Sequence, residues 1–500
     1  MPIMGIDIGT TGCKGTVFDD VGKLCSRCYC EYNAIRSSGY HEINADAVWK
    51  SVKKVISSVT GEYADAIDAI GISSFGESVV PVDINGNPLA NAILYTDSRG
   101  KNETKFLSEN VGENRIAEIT GLSANKMYTL PKIMWQKRNT PDVYKKAYKF
   151  LLFEDFIIFK LTGECCIDYS LASRTMCFDI SSKDWSAEMM EVAQINPSKF
   201  STPVKSGTVV GTVKPGIAFE LGLSTQTKVV TGAHDQVCAS LGAGVLSPGL
   251  SLDGTGTVEC IATAVNRPYI GESLKKCGYA CGPHAIANMY LIYALSFTGG
   301  ALLKWYRDTF TKHEFDMSKL SDGNIYQQLD AEAGTIPSSL LVLPYFAGAC
   351  TPYMDESAKG AILGLTLETT KIDIYRALME SVVYEMLLNI EILKKFGIAV
   401  KELRATGGGA SSPFWLQMKA DILEIPVMSF YNCEVANIGA VMLAGVATGK
   451  YLNLQEASSA LVKTGKTYEP NMGNRSRYRE KYSCYKRMYD AVKQVYGEDH

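Results

Sequence analysis

Five hundred residues exceed what one compact core usually holds, so two large domains are expected. Lysine plus arginine (50) nearly balances aspartate plus glutamate (53), and no segment concentrates one sign, which argues against a chain built to neutralise nucleic acid or an anionic membrane. With 46% apolar and 21% charged residues the composition is that of a globular chain, and no apolar run reaches the roughly 18–20 residues that cross a bilayer.

The N-terminus reads as strand, tight turn, strand: 3–8, then Gly9-Thr10-Thr11-Gly12, then 14–18, with 19–22 turning into a third strand over 24–32. It has neither a basic n-region nor a small-residue cleavage site, so a cytoplasmic location is the expectation. Cys25, Cys28 and Cys30 fall in the third strand; without a fourth ligand at matching spacing they read as small hydrophobes, not zinc ligands. A helix over 45–59 carries Val48, Trp49, Val52 and Val55 at helical spacing behind Asn44 as a cap. A strand over 67–73, helices over 131–138 and 153–161, and a strand over 228–231 follow. The glycine-rich stretch 241–249 is the expected seam, dividing the chain into domains 1–244 and 245–500. Beyond it, a strand over 250–253, the turn Gly254-Thr255-Gly256-Thr257 and a strand over 258–263 repeat the opening pattern. Asp253 follows Asp7 by about half the chain, which suggests a duplicated domain. A helix over 372–396, closed by Gly397, and strands over 402–406 and 427–430 complete an α/β pattern.

Four segments carry chemistry. In Asp7-Ile8-Gly9-Thr10-Thr11-Gly12-Cys13-Lys14, glycines at a strand end let the backbone approach an anion, with N–H groups and two hydroxyls turned to phosphate oxygens. Asp7 at the strand end suits Mg²⁺, which keeps several waters and takes only one or two carboxylates. Neither the GxxxxGK[ST] nor the GxGxxG pattern is present in that loop. The Asp253–Thr257 turn offers the same chemistry from the other half, so the two loops could grip a β,γ-phosphate pair from both sides. In Thr406-Gly407-Gly408-Gly409-Ala410, three glycines between a strand and a helix leave a flat backbone surface for a base or ribose. In Thr231-Gly232-Ala233-His234-Asp235-Gln236, a carboxylate at a strand end is a candidate general base for a hydroxyl proton, and phosphoryl transfer asks little more of it than position. His234 has no local Ser or Cys nucleophile beside it and reads as structural or substrate-orienting.

These residues resemble the FGGY carbohydrate kinases, which share the ribonuclease H-like fold of actin and the heat-shock chaperone ATPases. The resemblance runs from Asp7 to Gly449. Its most specific part is Gly360-Ala361-Ile362-Leu363-Gly364-Leu365, seven residues, then Asp373-Ile374-Tyr375-Arg376-Ala377-Leu378-Met379-Glu380. Met127-Tyr128-Thr129-Leu130-Pro131-Lys132-Ile133-Met134-Trp135 is similar to the family's N-terminal signature, with Gln136 where an aliphatic residue is usual. Tyr95-Thr96-Asp97-Ser98-Arg99 resembles its Trp-x-Asp-x-Arg segment, and Thr298-Gly299-Gly300 and Trp305 fit as well.

The resemblance implies two ribonuclease H-like domains about a central cleft and an ATP- and Mg²⁺-dependent transfer to a hydroxyl of a free ketose or polyol, xylulokinase-like. It implies Asp235 as catalytic base, and Gly76, Glu77, Tyr95 and Gln236 beside the substrate. Asp7 would act through the metal, Thr10, Thr11, Lys14, Gly254, Thr255 and Gly256 at the phosphates, and Gly408 and Gly409 at the adenosine. Glycerol kinases carry Arg-Glu and xylulokinases Met-His at the Gly76-Glu77 position, so neither specificity transfers. Glu77, in the apolar segment 72–80, reads as a hydroxyl acceptor; His234 and Glu259 faintly resemble parts of deoxy-ketose kinases. The expected partner is a sugar or polyol, with no nucleic acid and no membrane, and a homodimer is left open. The rival is a nucleotide-gated clamp or a sugar sensor on the same fold, which would need a peptide- or DNA-binding module where nucleotide-site motifs stand instead.

Overall fold

Two sheets, one from each half of the chain, organise the computed structural model, which describes residues 1–19, 21–37, 39–270, 276–320, 324–431 and 434–496. The first takes β1 (Ile3–Ile8), β2 (Gly12–Phe18), β3 (Leu24–Glu31), β4 (Ala69–Ser74), β5 (Val209–Thr212) and β6 (Lys228–His234) in the spatial order β5-β6-β4-β1-β2-β3. The second takes β7 (Leu250–Thr255), β8 (Glu259–Val265), β9 (Ala280–Pro283), β10 (Tyr290–Ser296), β11 (Glu402–Gly407), β12 (Val427–Phe430) and β13 (Thr464–Tyr468) in the order β9-β10-β8-β7-β11-β12-β13.

The duplication suggested by two short loops extends through the topology. β1 pairs antiparallel with β2 and parallel with β4, and β4 is parallel to β6. In the second half β7 pairs antiparallel with β8 and parallel with β11, and β11 is parallel to β12. In each half, an antiparallel strand closes the far edge, β5 on β6 and β13 on β12. Strand bounds differ from the sequence expectation where the turns are. β2 begins at Gly12, two residues early, because Gly9 N–H already closes on the Gly12 carbonyl at 2.9 Å. β7 runs through Gly254 and Thr255, so the second turn is 256–258 and not 254–257.

The helices follow the caps that the sequence carries. α1 (Ala45–Thr60) is capped by Asn44 Oδ1 accepting from Ala47 N–H at 2.9 Å and covers the first sheet with Val48, Trp49, Val52 and Val55. α2 (Phe153–Thr162) ends at left-handed Gly163, and the long α3 (Lys371–Lys395) starts from a Thr370/Asp373 capping box. Two further helices join the halves. α4 (Asp235–Gly242) follows β6 directly, and α5 (Val435–Ala447) follows β12 yet packs against β1, β4 and β6 of the first sheet. Glycines make that approach: a Cβ on Gly5 would stand 2.6 Å from the Asn437 carbonyl oxygen, and one on Gly71 would meet the Ala440 carbonyl. Asn437 in turn donates to the Gly5 carbonyl and the Thr16 hydroxyl, both at 3.1 Å. Leu252, Ala262 and Leu291 of the second sheet share one core with Ile3, Ala69 and Val230 of the first, through α4 and α5.

Candidate active site

Parallel strands point one end the same way, and in each sheet that end carries the sequence-predicted residues. Asp7 lies near the end of β1 opposite Ser73 of β4, whose hydroxyl donates to Asp7 Oδ1 at 3.1 Å. Burial pushes the Asp7 carboxyl up to about 6, against the Ser73 hydroxyl and Lys14, which lower it, and with Glu434, which adds to the rise. Lys14, across the hairpin from Asp7, pairs with Glu434 at 3.2 Å, an ion pair between the two halves. The turn between β1 and β2 is braced by Tyr29 of β3 and by Tyr32 just after it: Tyr32 Oη donates to the Gly9 carbonyl at 2.6 Å, and Tyr29 Oη to that of Thr11 at 3.4 Å. Thr10 is half-buried and Thr11 exposed on that turn.

Asp235 opens α4 immediately after β6. The sheet register breaks between Thr231 and His234, and the freed His234 N–H donates to Ser170 Oγ at 2.9 Å. The carboxylate accepts from Gln236 N–H at 2.6 Å and stands 3.2 Å from His234 Nε2, with 31% of its side chain open. Burial raises its pKa to about 7, Asp7 and Glu77 add to the rise, and Gln236 and Arg174 oppose it. Asp235 is therefore close enough to Asp7 and Glu77 to feel the charge of each. Burial and the neighbouring Arg174 hold His234 well below the usual histidine range, so its ring is neutral. Tyr95 is half-buried in the same neighbourhood; burial raises its phenol, and Glu77 and Asp235 raise it further.

Glu77 is not in a strand. β4 stops at Ser74, and Glu77 sits in a turn at φ 65° with only 5% of its surface exposed. Its Oε1 accepts from Arg174 Nε at 2.6 Å and lies 2.5 Å from Nη2. Sequence reasoning missed Arg174; the signal was a lone charge in the stretch 169–178. Asp97 and Arg99 form a support, with Arg99 Nε on Asp97 Oδ1 at 2.8 Å, Nη2 on Oδ2 at 2.6 Å and Nη1 on Glu42 at 2.8 Å.

The second half meets this site through Gly254, where a Cβ would stand 3.7 Å from Gln236 Oε1, a buried atom without a hydrogen-bond partner. Gly256 and Gly408 each face open space where a Cβ would project. Gly407 adopts φ 81° and Gly409 packs on Thr255, its Cβ position 2.5 Å from Thr255 Cγ2. The expected likeness between Asp253 and Asp7 fails at the side chain. Asp253 is fully buried and takes Lys419 Nζ at 2.7 Å, and the same ammonium bonds Thr255 Oγ1 at 2.7 Å and Glu259 Oε1 at 2.8 Å. Period-two alternation turns Asp253 and Thr255 to the same interior face, so only the backbone of Thr255 remains for a ligand. Glu259 belongs to this interior cluster, and burial raises its carboxyl well above the usual range.

The residues fit a nucleotide with a divalent cation. The open faces over Gly256 and Gly408 are surfaces that any side chain would fill. Among the described residues no three His, Cys, Asp or Glu gather to hold a metal ion. Among the described residues no helix is long and apolar enough to cross a membrane.

The N-terminal domain model of the FGGY family of carbohydrate kinases matches residues 2–242, and its C-terminal domain model matches residues 256–448. A xylulose kinase of Staphylococcus xylosus is 29% identical over 98% of this chain and 99% of its own, and a gluconokinase of Bacillus subtilis is 29% identical over 93% and 91%. The solved structure of a ligand-bound xylulose kinase from Lactobacillus acidophilus superposes with a TM-score of 0.90 at 26% identity, covering 98% of both chains. Two duplicated α/β sheets, paired glycine loops and a strand-end aspartate thus agree with both domain models over most of the sequence: the chain belongs to the FGGY family of carbohydrate kinases.

Proposed function

We propose that the protein transfers the γ-phosphoryl group of ATP to a hydroxyl of a free ketose or polyol, with Asp235 as the general base. The observation that carries this reading is that Asp7, Glu77 and Asp235 lie at or just beyond the C-terminal ends of the neighbouring strands β1, β4 and β6, where Ile8, Ser74 and His234 are in register, with Gly254 of the second half against Gln236. Domain 1–244 supplies the acceptor site and the first phosphate loop, and domain 245–500 the second loop and the adenosine surface over Gly408 and Gly409. Similarity to xylulose kinases over nearly the whole chain supports a pentulose-like acceptor.

Asp235 takes the proton of the attacking hydroxyl as the new P–O bond forms and the bond to ADP breaks. The loose transition state makes alignment the larger part of the task. The Gln236 amide and His234 hold the carboxylate in place, and the backbone of the two glycine loops, with Lys14, meets phosphate charge. Asp7 would hold Mg²⁺, which would supply neutralisation of phosphate charge. Tyr95 and Gln236 contact the acceptor. Asp235→Ala is expected to lower kcat by about 10²–10⁴, the range for a positioned base, with ATP binding intact by calorimetry. Unaltered turnover in a coupled ADP assay refutes the assignment.

A further inference from the structure

Gly76 is small for a reason that the backbone does not supply, since its φ lies outside the left-handed region. A Cβ there would stand 3.0 Å from Arg174 Cγ, 3.1 Å from Arg174 Cβ and 3.2 Å from His234 Cδ2. The missing side chain is the space in which Arg174 runs. Arg174 lies just beyond the short helix Tyr169–Ser173 and reaches back to Glu77, its guanidinium 5.2 Å from the ring centre of Tyr128 and 5.8 Å from that of Tyr293. Glu77 is pinned from the other side, its carbonyl accepting from Thr129 Oγ1 at 2.8 Å, in a left-handed conformation that acidic side chains with two methylenes seldom adopt. A held turn therefore presents one ion pair a short way from Asp235.

We propose that Glu77 and Arg174 together read the phosphoryl acceptor, Glu77 accepting from its hydroxyls through Oε2 and Arg174 donating to them through its remaining guanidinium N–H groups, and that the pair restricts the enzyme to uncharged ketoses or polyols and excludes aldonates. This rests on the kinase reading above. Nε and one N–H of Nη2 meet the same oxygen, Oε1, which leaves Oε2 as an acceptor and, beside the hydrogen bond to the Tyr128 phenol, further guanidinium N–H groups as donors. The guanidinium charge is matched by Glu77, and Asp235 adds a negative charge of its own. An acceptor carboxylate would enter beside two anions against one cation that is already paired. The next cation, Lys132, gives its ammonium to the Met127 carbonyl, and burial lowers its pKa to about 7 in spite of Glu77 and Asp97.

The test is steady-state kinetics of the full chain with Mg·ATP across matched pairs of acceptors, a ketose or polyol against the aldonate of the same length. The wild type is expected to favour the uncharged member by about 100-fold or more in kcat/KM, since a site lined by buried polar groups discriminates strongly. Arg174→Gln is expected to raise the acceptor KM by about 10- to 100-fold while the KM for ATP stays within about twofold, the loss of a charge-assisted hydrogen bond. Because that variant strands a buried carboxylate, Glu77→Gln/Arg174→Gln removes both charges; the same rise in acceptor KM is expected from it. Gly76→Ala is expected to raise the acceptor KM with no change in that for ATP. The proposal is overturned by a wild type that phosphorylates an aldonate as well as its uncharged counterpart, or by a double variant with the wild-type acceptor KM. If Asp235→Ala is inactive while the double variant behaves as wild type, only this proposal falls. If no acceptor raises ADP release above its rate in water, the kinase reading falls and takes this with it.

Discussion

Burial pushes the Asp235 carboxyl up to about 7, and the charges of Asp7 and Glu77 work in the same direction. A base must be ionised to take a proton, so kcat/KM for the acceptor is expected to fall as pH drops below about 7 and to level off above it. Initial rates between pH 5.5 and 9 check this, and an acid limb at the ordinary aspartate value would remove the environment assigned to Asp235. Lys419 works at the same scale but for the fold. Its ammonium is shared among Asp253, Glu259 and the Thr255 hydroxyl, none of them open to solvent. Burial would lower its pKa, but the two carboxylates hold it above the usual lysine value. Lys419→Met leaves buried acids without a counter-charge and is expected to cost about 3–5 kcal/mol of stability, read from urea denaturation. A cost below about 1 kcal/mol, the worth of a surface pair, would mean that water reaches the cluster.

Among the elements, α4 and α5 matter most, because each follows a strand of one sheet and the two meet between the sheets. Their contact is glycine to backbone in both directions: a Cβ on Gly242 would run into the Val435 carbonyl, and one on Gly439 would lie 2.6 Å from Cys238 C and 2.8 Å from its Cα. Backbone cannot rotate away as a side chain can. Gly439→Ala is therefore expected to destabilise by roughly 1–3 kcal/mol, the usual cost of overfilling a packed interior, and to lower kcat because α4 begins at Asp235. Thermal unfolding and turnover measured on the same preparation test both halves of this expectation. The ion pair Lys14–Glu434 crosses the same boundary but is partly open, with Lys14 43% exposed, and carries little of the stability.

For the whole molecule, the chain order and the packing do not coincide. Residues 435–447 lie far along the second half yet cover β1, β4 and β6 of the first sheet, where Gly5 and Gly71 give them room. Removing them would expose an apolar face that includes Ile3, Ala69 and Val230. A fragment of residues 1–244 is therefore expected not to fold alone, and to gain native structure when the fragment 245–500 is added. Circular dichroism and size-exclusion chromatography of the separate and mixed fragments would show this. A stable, monomeric 1–244 would mean that the shared core is dispensable.

Local chemistry determined a good deal in advance. Glycine and threonine at strand ends, Asn44 as a helix cap and the alternation of strands with helices depend on neighbours in the chain, and the strand ends near Asp7, Asp235 and Gly408 were legible for that reason. Only the tertiary structure decided which way Thr255 turns, because β7 runs two residues further than its glycines suggest and alternation then sends the hydroxyl to Lys419. Arg174 and Lys419 were hidden for a related reason: each stands in a stretch with few charges, and their partners lie 97 and 166 positions away, at Glu77 and Asp253. Side-chain direction and long-range pairing are fixed when the sheets and helices close on one another, and no spacing along the chain encodes them.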